Sequence, residues 1–256
     1  IGAGYVGLIT GIGFAKLNHQ VSIVDLNDDL IKNLNENRPP FFEPELVDYL
    51  NDSNIRNNLF FSTSYQKSIN ENTDIVFVCV QTPTDPDTGK TKTDYISSVL
   101  TELKKIERFN FIICIKSTIK ANLVEKISNE IDLDYRKIIF NPEFLREGSA
   151  FYDFFNPDRI VIGGSDQKGL NQCTELYESF DCEKIITDSN SSQMIKYLSN
   201  TYLAMRLSFV NETYRLVSEF NGNPEEVLNA IGKDKRIGND YFRPSPGWGG
   251  SCFPKD

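Results

Sequence analysis

The chain has 256 residues, a net charge of −9, 39% apolar and 25% charged residues, an ordinary globular composition that excludes disorder and suffices for one large core or two modest ones. The acidic balance excludes the basic stripe that nucleic-acid binding requires, so an anionic small ligand would need locally focused positive charge. No apolar run approaches the ~20 residues that span a bilayer and no signal-peptide pattern opens the chain, which predicts a cytoplasmic protein without a membrane partner.

Taken in chain order, a glycine-rich run over residues 2–7 precedes a helix-forming segment. Short β-branched and apolar runs then recur at Val21 to Asp25, Asp74 to Val80, Phe111 to Lys116, Lys137 to Phe140, Arg159 to Gly163 and Lys184 to Thr187. Segments of helical period lie between most of them, at Asp28 to Asn35, Tyr95 to Ile106 and Asn122 to Ile131. That alternation predicts a parallel sheet with helices on both faces, and the nearly continuous apolar character of each run fits strands buried on both sides. The only long turn-rich insertion is Thr84 to Asp94.

The pattern changes after Asp188. Met194, Leu198, Tyr202, Met205, Phe209 and Leu216 predict one long amphipathic helix, capped by Ser189 or Ser191 and ended by Gly222. A further helix starts at Asn223 with Pro224 in its first turn. A domain boundary is expected near Asp188. Both ends read as cut: the chain opens one residue before a glycine motif that needs a strand in front of it, and it closes on GGSCFPKD. A first strand and a downstream domain are therefore expected to be missing.

Gly2, Gly4 and Gly7 form GxGxxG, and eighteen residues beyond Gly7 the strand VSIVD ends in Asp25. Glycines for a tight turn, a helix behind them and an acid closing the next strand make a dinucleotide fingerprint of the Rossmann type. A pyrophosphate would rest on the helix N-terminus and the Asp25 carboxylate would accept from ribose hydroxyls. Since a 2′-phosphate would be repelled there, NAD is expected over NADP. Thr82-Pro83 and Ser117-Thr118 end two strands, where open α/β sheets bind ligands; their hydroxyls would serve a ligand or cap a helix equally well. In NPEFLREG, residues 141–148, Glu143 and Glu147 are four apart and share a face if the segment is helical; the alternative is a solvated first turn.

Lys196 and Asn200 are also four apart, on one face of the long helix, where they point to a common neighbour or to solvent. Five cysteines without a CxxC pair fit neither a disulfide framework nor a structural zinc site, and no metal is expected. Cys79 and Cys114 read as small core residues. Cys252 differs: Gly249 and Gly250 clear an approach to its thiol, and Lys255 and Asp256 follow, so nucleophile and packing residue are both open. The only histidine, His19, lies at a turn, which leaves acid–base work to carboxylates, lysine or water.

GAGYVG, VQTPT, KST, NPEFLREG, MIKYLSN and GGSCFPKD occur in one order along nearly the whole chain, and together they resemble the UDP-glucose/GDP-mannose dehydrogenase family. The resemblance implies α/β architecture, a Rossmann-type doubly wound parallel sheet over residues 1–188 for NAD, then an all-α central domain with a long helix over 189–256 that mediates homodimerisation. It implies Cys252 as nucleophile, Lys196 as oxyanion stabiliser and Asn200 as hydrogen-bond partner of the reacting sugar oxygen. Glu143, Thr118 and Asp256 match positions that hold or activate water. Gly2, Gly4, Tyr5, Val6, Gly7, Asp25, Thr82, Pro83, Ser117, Thr118 and Glu147 match cofactor contacts. Phe144, Leu145, Arg146 and Glu147, with Lys196 and Asn200, would lie along the sugar, and Tyr241, Ser245 and Gly249 would hold the nucleotide sugar. The reaction implied is a four-electron oxidation of a nucleotide-sugar alcohol, UDP-glucose by the strings NPEFLREG and RIGNDY, with GDP-mannose as the other substrate; a non-catalytic nucleotide-binding module would lack Cys252 or Lys196. Two departures stand out: Leu30, with Lys32 nearby, takes a place where the family often has a basic residue, and Trp248 replaces the usual Phe or Tyr.

Overall fold

The computed structural model describes residues 1–106, 110–247 and 249. In chain order the elements are α1 (Tyr5–Lys16), β1 (Val21–Val24), α2 (Asp28–Asn35), α3 (Leu46–Asn51), α4 (Ser53–Arg56), β2 (Leu59–Ser62), α5 (Tyr65–Ser68), β3 (Ile75–Val78) and α6 (Asp94–Lys105). There follow β4 (Ile112–Ile115), α7 (Ala121–Glu130), β5 (Ile138–Phe140), α8 (Ala150–Phe155), β6 (Arg159–Gly163), α9 (Gln167–Glu175), β7 (Glu183–Thr187), α10 (Ser189–Glu219) and α11 (Pro224–Gly232). These make two compact units, Ile1–Met194 and a second beginning at Ile195.

The first unit is the expected α/β layer structure. Strands β3, β4, β5, β6 and β7 lie side by side in that order, and β1 pairs with β2 in a second, two-stranded sheet. The segment Ile1–Gly2 links the two: Cys79 N donates to Ile1 O at 2.8 Å and Gly2 N to Val24 O at 2.7 Å. Elsewhere between β1 and β3 is a cavity of about 630 Å³, lined by Val21, Ile23, Ile75 and Phe77 and closed below by Gly11 and Phe14 of α1. Among the described residues the named strands pair in parallel except where β6 runs antiparallel to β5 through the single pair Phe140↔Gly163. The connection between them holds only the six-residue α8 and an extended loop, too little helix to carry the chain back along a parallel strand.

One face of the larger sheet buries Val78, Leu100, Ile115, Val124 and Phe140 against α6 and α7. The other buries Cys114, Ile139 and Ile162 with Phe14, Phe151 and Phe154 from α1 and α8. Cys114 is buried with its sulfur 3.9 Å from that of Cys173, as a core thiol should be, whereas Cys79 is half-buried. His19 is exposed at the end of α1, edge-on to Phe14.

Strand β2 was not expected. Leu59 and Phe61 are buried while Phe60 between them is exposed, an alternation only four residues long, and it gains its identity from the register Val21↔Leu59 with β1.

Helix α10 is capped by Asp188 rather than by either serine: its Oδ1 accepts from Ser191 N at 2.9 Å and its Oδ2 from Ser191 Oγ at 2.6 Å. The helix ends in a Schellman arrangement, Gly222 N to Val217 O at 2.9 Å and Asn221 N to Ser218 O at 3.1 Å. Asn221, with φ of 56°, takes the left-handed position instead of Gly222. Asn223 and Pro224 start α11 as expected.

The Ser191 bonds hold the Asp188 carboxyl below its usual range. A depressed folded-state value means that the cap stabilises the native state above the unfolded carboxyl range and is lost as pH falls below about 4. Asp188→Ala is therefore expected to cost about 1 kcal/mol in urea unfolding at pH 7, with the difference from wild type shrinking toward pH 3; a constant difference would count against the cap.

Candidate active site

The glycine run is shaped by backbone contacts. Gly2 has φ of 96°, in the left-handed region, and a Cβ on Gly7 would lie 1.8 Å from Gly2 O, so only glycine lets α1 start this close to the preceding turn. Gly4 is different, because a Cβ there would meet nothing within 4 Å. As N-cap of α1 it supplies no side-chain acceptor, and the first turn contains no acid. The orphan N–H groups and the positive end of the helix dipole thus face a surface a ligand can approach.

Asp25 follows β1 and lies beside this turn. Its Oδ2 accepts from Ala3 N at 2.8 Å and its Oδ1 from Asn27 N at 3.0 Å. A carboxylate accepts about four hydrogen bonds, so acceptor capacity remains on both oxygens.

At the ends of β3 and β4 the threonine and serine hydroxyls cap no helix. Thr82 Oγ1 donates to Thr118 O at 2.8 Å, and Ser117 Oγ to Val80 O at 2.6 Å; α6 and α7 instead start at Thr93 and Lys120. Thr82, Ser117 and Thr118 are all buried, and Pro83 is half-buried. The hydroxyls knit two strand ends together and keep their lone pairs for a further donor.

Residues 141–149 are not helical, which corrects the shared-face expectation: Glu143 is buried and Glu147 exposed. Pro142 removes one donor, and the chain leaves β5 extended, with Glu143 Oε2 accepting from Leu145 N at 2.7 Å. Asn141 anchors the start. Its Oδ1 accepts from Lys116 Nζ at 2.8 Å and Tyr177 Oη at 2.6 Å, and its Nδ2 donates to Val161 O at 2.8 Å. Burial pushes the Tyr177 phenol well up, which keeps it a donor. A cavity of about 50 Å³ lies against Lys116, Glu143 and Tyr177. Beyond it Phe144 stacks under the Arg159 guanidinium, 4.1 Å from the ring centre, Leu145 joins the core, and Arg146 forms a two-point ion pair with Asp153.

Lys196 and Asn200 are both buried on α10. At 100° per residue they lie on the side away from Met194, Leu198, Tyr202, Met205 and Phe209, and this apolar stripe is exposed. In the second unit, Tyr241 has a left-handed φ of 55°. Ser245 N donates to Asn211 Oδ1 at 2.9 Å, Arg206 Nη2 reaches Gly238 O at 3.0 Å, and Gly249 is exposed. Asn211 and Arg206, which tether this loop to α10, belong to no motif. Cys252 and Asp256 lie outside the described residues. Among the described residues no group of His, Cys, Asp or Glu is arranged to hold a metal ion, and no helix is long and apolar enough to cross a membrane.

Residues 1–181 match the NAD binding domain of the UDP-glucose/GDP-mannose dehydrogenase family, and residues 190–256 match that family's central domain. The chain is 36% identical to the UDP-glucose 6-dehydrogenase YwqF of Bacillus subtilis, covering all of this chain and 59% of that protein. It is 38% identical to a UDP-glucose 6-dehydrogenase of Rhizobium meliloti, covering all of this chain and 60% of that one. A UDP-glucose dehydrogenase structure from Pyrobaculum islandicum superposes with a TM-score of 0.91 at 35% identity, over 99% of this chain and 60% of the other. The chain thus spans about 60% of the length of the curated relatives it matches.

Proposed function

The chain belongs to the UDP-glucose/GDP-mannose dehydrogenase family, and we propose that it carries the NAD-binding and much of the sugar-binding machinery of an enzyme that oxidises C6 of UDP-glucose to the carboxylate of UDP-glucuronate. Residues 1–188 are the cofactor domain and 189–256 the central helical domain. The observation that carries this reading is the gathering, at the C-terminal ends of β1, β3, β4 and β5, of an uncapped helix N-terminus at Gly4, the Asp25 carboxylate and buried Glu143. The names of the relatives favour UDP-glucose as substrate.

The residues fit NAD. The α1 amides suit a pyrophosphate, Gly4 leaves room for it, and the remaining lone pairs of Asp25 suit ribose hydroxyls but repel a 2′-phosphate. Thr82, Pro83, Ser117 and Thr118 line the nicotinamide side, with Tyr5, Val6 and Glu147 nearby. When bound, NAD supplies the acceptor for each of two hydrides that leave C6.

The chain's own residues do the rest. The Lys196 ammonium stabilises negative charge on the C6 oxygen, and Asn200 hydrogen-bonds the same atom; one such donor in a dry site is worth ~3 kcal/mol. The Cys252 thiolate adds to the aldehyde to give a thiohemiacetal, whose oxidation leaves a thioester. Water held by Glu143, Thr118 and Asp256 hydrolyses it. Phe144, Leu145, Arg146 and Glu147 lie along the sugar, and Tyr241, Ser245 and Gly249 hold the nucleotide.

The exposed stripe of α10, continued by Leu216 and Phe220, pairs with a second copy as a homodimer in the cytoplasm, since an apolar face of this length is costly in water.

Full-length protein given UDP-glucose and excess NAD is expected to release two NADH per sugar at end point. One would mean that oxidation stops at the aldehyde. None with UDP-glucose but two with GDP-mannose would transfer the reading to that substrate.

A further inference from the structure

Glu43 lies between α2 and α3, outside every motif discussed above, yet it is 3% exposed. A buried carboxylate persists only where donors replace its hydration. Its Oε2 accepts from Tyr5 Oη and from Gly148 N, both at 2.8 Å, and its Oε1 accepts from Ala150 N at 2.8 Å. Tyr5 Oη also lies 3.2 Å from Arg146 O, and its ring packs on Phe41 with centroids 5.1 Å apart. Tyr5 is the first residue of α1, directly after Gly4, while Gly148 and Ala150 end the loop that begins at Asn141. Ser149, the N-cap of α8, makes no side-chain cap of its own, so Glu43 fills that role from more than 100 residues away. The turn behind it is tight, with Glu45 at φ of 68°.

We infer that Glu43 is a positioning residue that clamps the 141–149 loop to the start of α1, keeping the sugar-binding segment in register with the cofactor-binding turn. The inference rests on the dehydrogenase reading for its functional meaning and on the hydrogen bonds above for its geometry. Burial and the facing Glu43 carboxylate both push the Tyr5 phenol up, so the phenol remains the donor. The glycine turn itself keeps its separate anchors, Gly2 N on Val24 O and Ala3 N on Asp25, so loss of the clamp should free the loop and spare the turn.

Glu43→Gln is nearly isosteric, but in either orientation its amide NH₂ faces a backbone N–H, that of Gly148 or of Ala150. In the full-length enzyme this variant is expected to lower kcat/KM for UDP-glucose by at least about tenfold while the Kd for NAD stays within about twofold. Tyr5→Phe removes only the link between loop and α1, and is expected to lower the same ratio about three- to fivefold with a smaller drop in Tm than Glu43→Gln. Because both substitutions break one connection, the double variant should match Glu43→Gln alone. Independent, multiplying effects would overturn the clamp, as would wild-type kcat and KM in Glu43→Gln. Amide exchange separates this inference from the function it rests on. Gly148 and Ala150 should exchange at least about tenfold faster in Glu43→Gln, whether or not the wild type oxidises UDP-glucose; unchanged protection at both amides would remove the clamp even if turnover stands.

Discussion

Gly7→Ala is expected to lose NAD binding and stability together, whereas Gly4→Ala loses NAD binding almost alone. The two glycines belong to one motif but answer to different neighbours. A methyl group on Gly7 would stand 1.8 Å from Gly2 O and 3.3 Å from the Cys79 side chain. The first of these is backbone, held by the bond from Gly2 N to Val24 O, and cannot swing aside as a side chain would. Helix α1 must back away from the turn, opening a core that includes Leu8, Ile9 and Ile12. Overpacking of this kind costs roughly 1–3 kcal/mol, and because the displaced amides are those proposed to bind the pyrophosphate, the Kd for NAD should rise by about a hundredfold or more. On Gly4 the same methyl meets no protein atom within 4 Å and changes the Tm little, since Ala is only a poorer N-cap than Gly. It does occupy the space above the α1 N-terminus, so NAD affinity should fall by at least about tenfold. Calorimetric titration and thermal melts of the two variants decide the matter. Unchanged NAD affinity in Gly4→Ala would mean that this glycine serves the chain and not a ligand.

Much of this architecture was legible because it is written locally. The strands that carry the site, β1, β3, β4 and β5, are short apolar runs with little ambiguity, and the glycine turn and Asp25 stand at fixed offsets around the first of them. What escaped is decided at long range. Leu59 to Ser62 becomes a strand only by lying beside β1. The segment after Asn141 reads as a helix start by composition, but Asn141 is held by Lys116 and Tyr177 and no helix begins before Ala150. Glu43 carries no signal in its own neighbourhood, since its partners Tyr5, Gly148 and Ala150 are 38, 105 and 107 positions away. The stripe on α10 was legible as a period, but periodicity tells only that a helix has an apolar face, and not whether that face meets its own chain or another. The first compact unit runs on to Met194. Ser192 and Gln193 are buried in the first unit, where Gln193 Oε1 accepts from Ile119 N at 3.2 Å.

Cys252→Ser is expected to abolish acid formation while leaving NAD binding intact. The proposed route uses the thiol for one purpose, to convert a C6 aldehyde into an adduct from which a second hydride can leave. A hydroxyl does not replace it, because serine is a weak nucleophile at neutral pH without an activating base, and the single histidine, His19, lies exposed at the end of α1. Lys196 is assigned in this proposal to the C6 oxygen, and a neighbouring cation in general brings a thiol into its working range far more readily than an alcohol. The first hydride transfer needs neither group as nucleophile. The variant should therefore yield at most one NADH per UDP-glucose, with acid production reduced by at least about a thousandfold, and a Kd for NAD equal to that of the wild type. End-point NADH, mass detection of the acid and a binding titration on the same preparation separate the cases. Two NADH per sugar from Cys252→Ser would mean that a hydrated aldehyde is the second hydride donor and no thioester forms. A loss of NAD binding would instead assign Cys252 to the structure of the cofactor site.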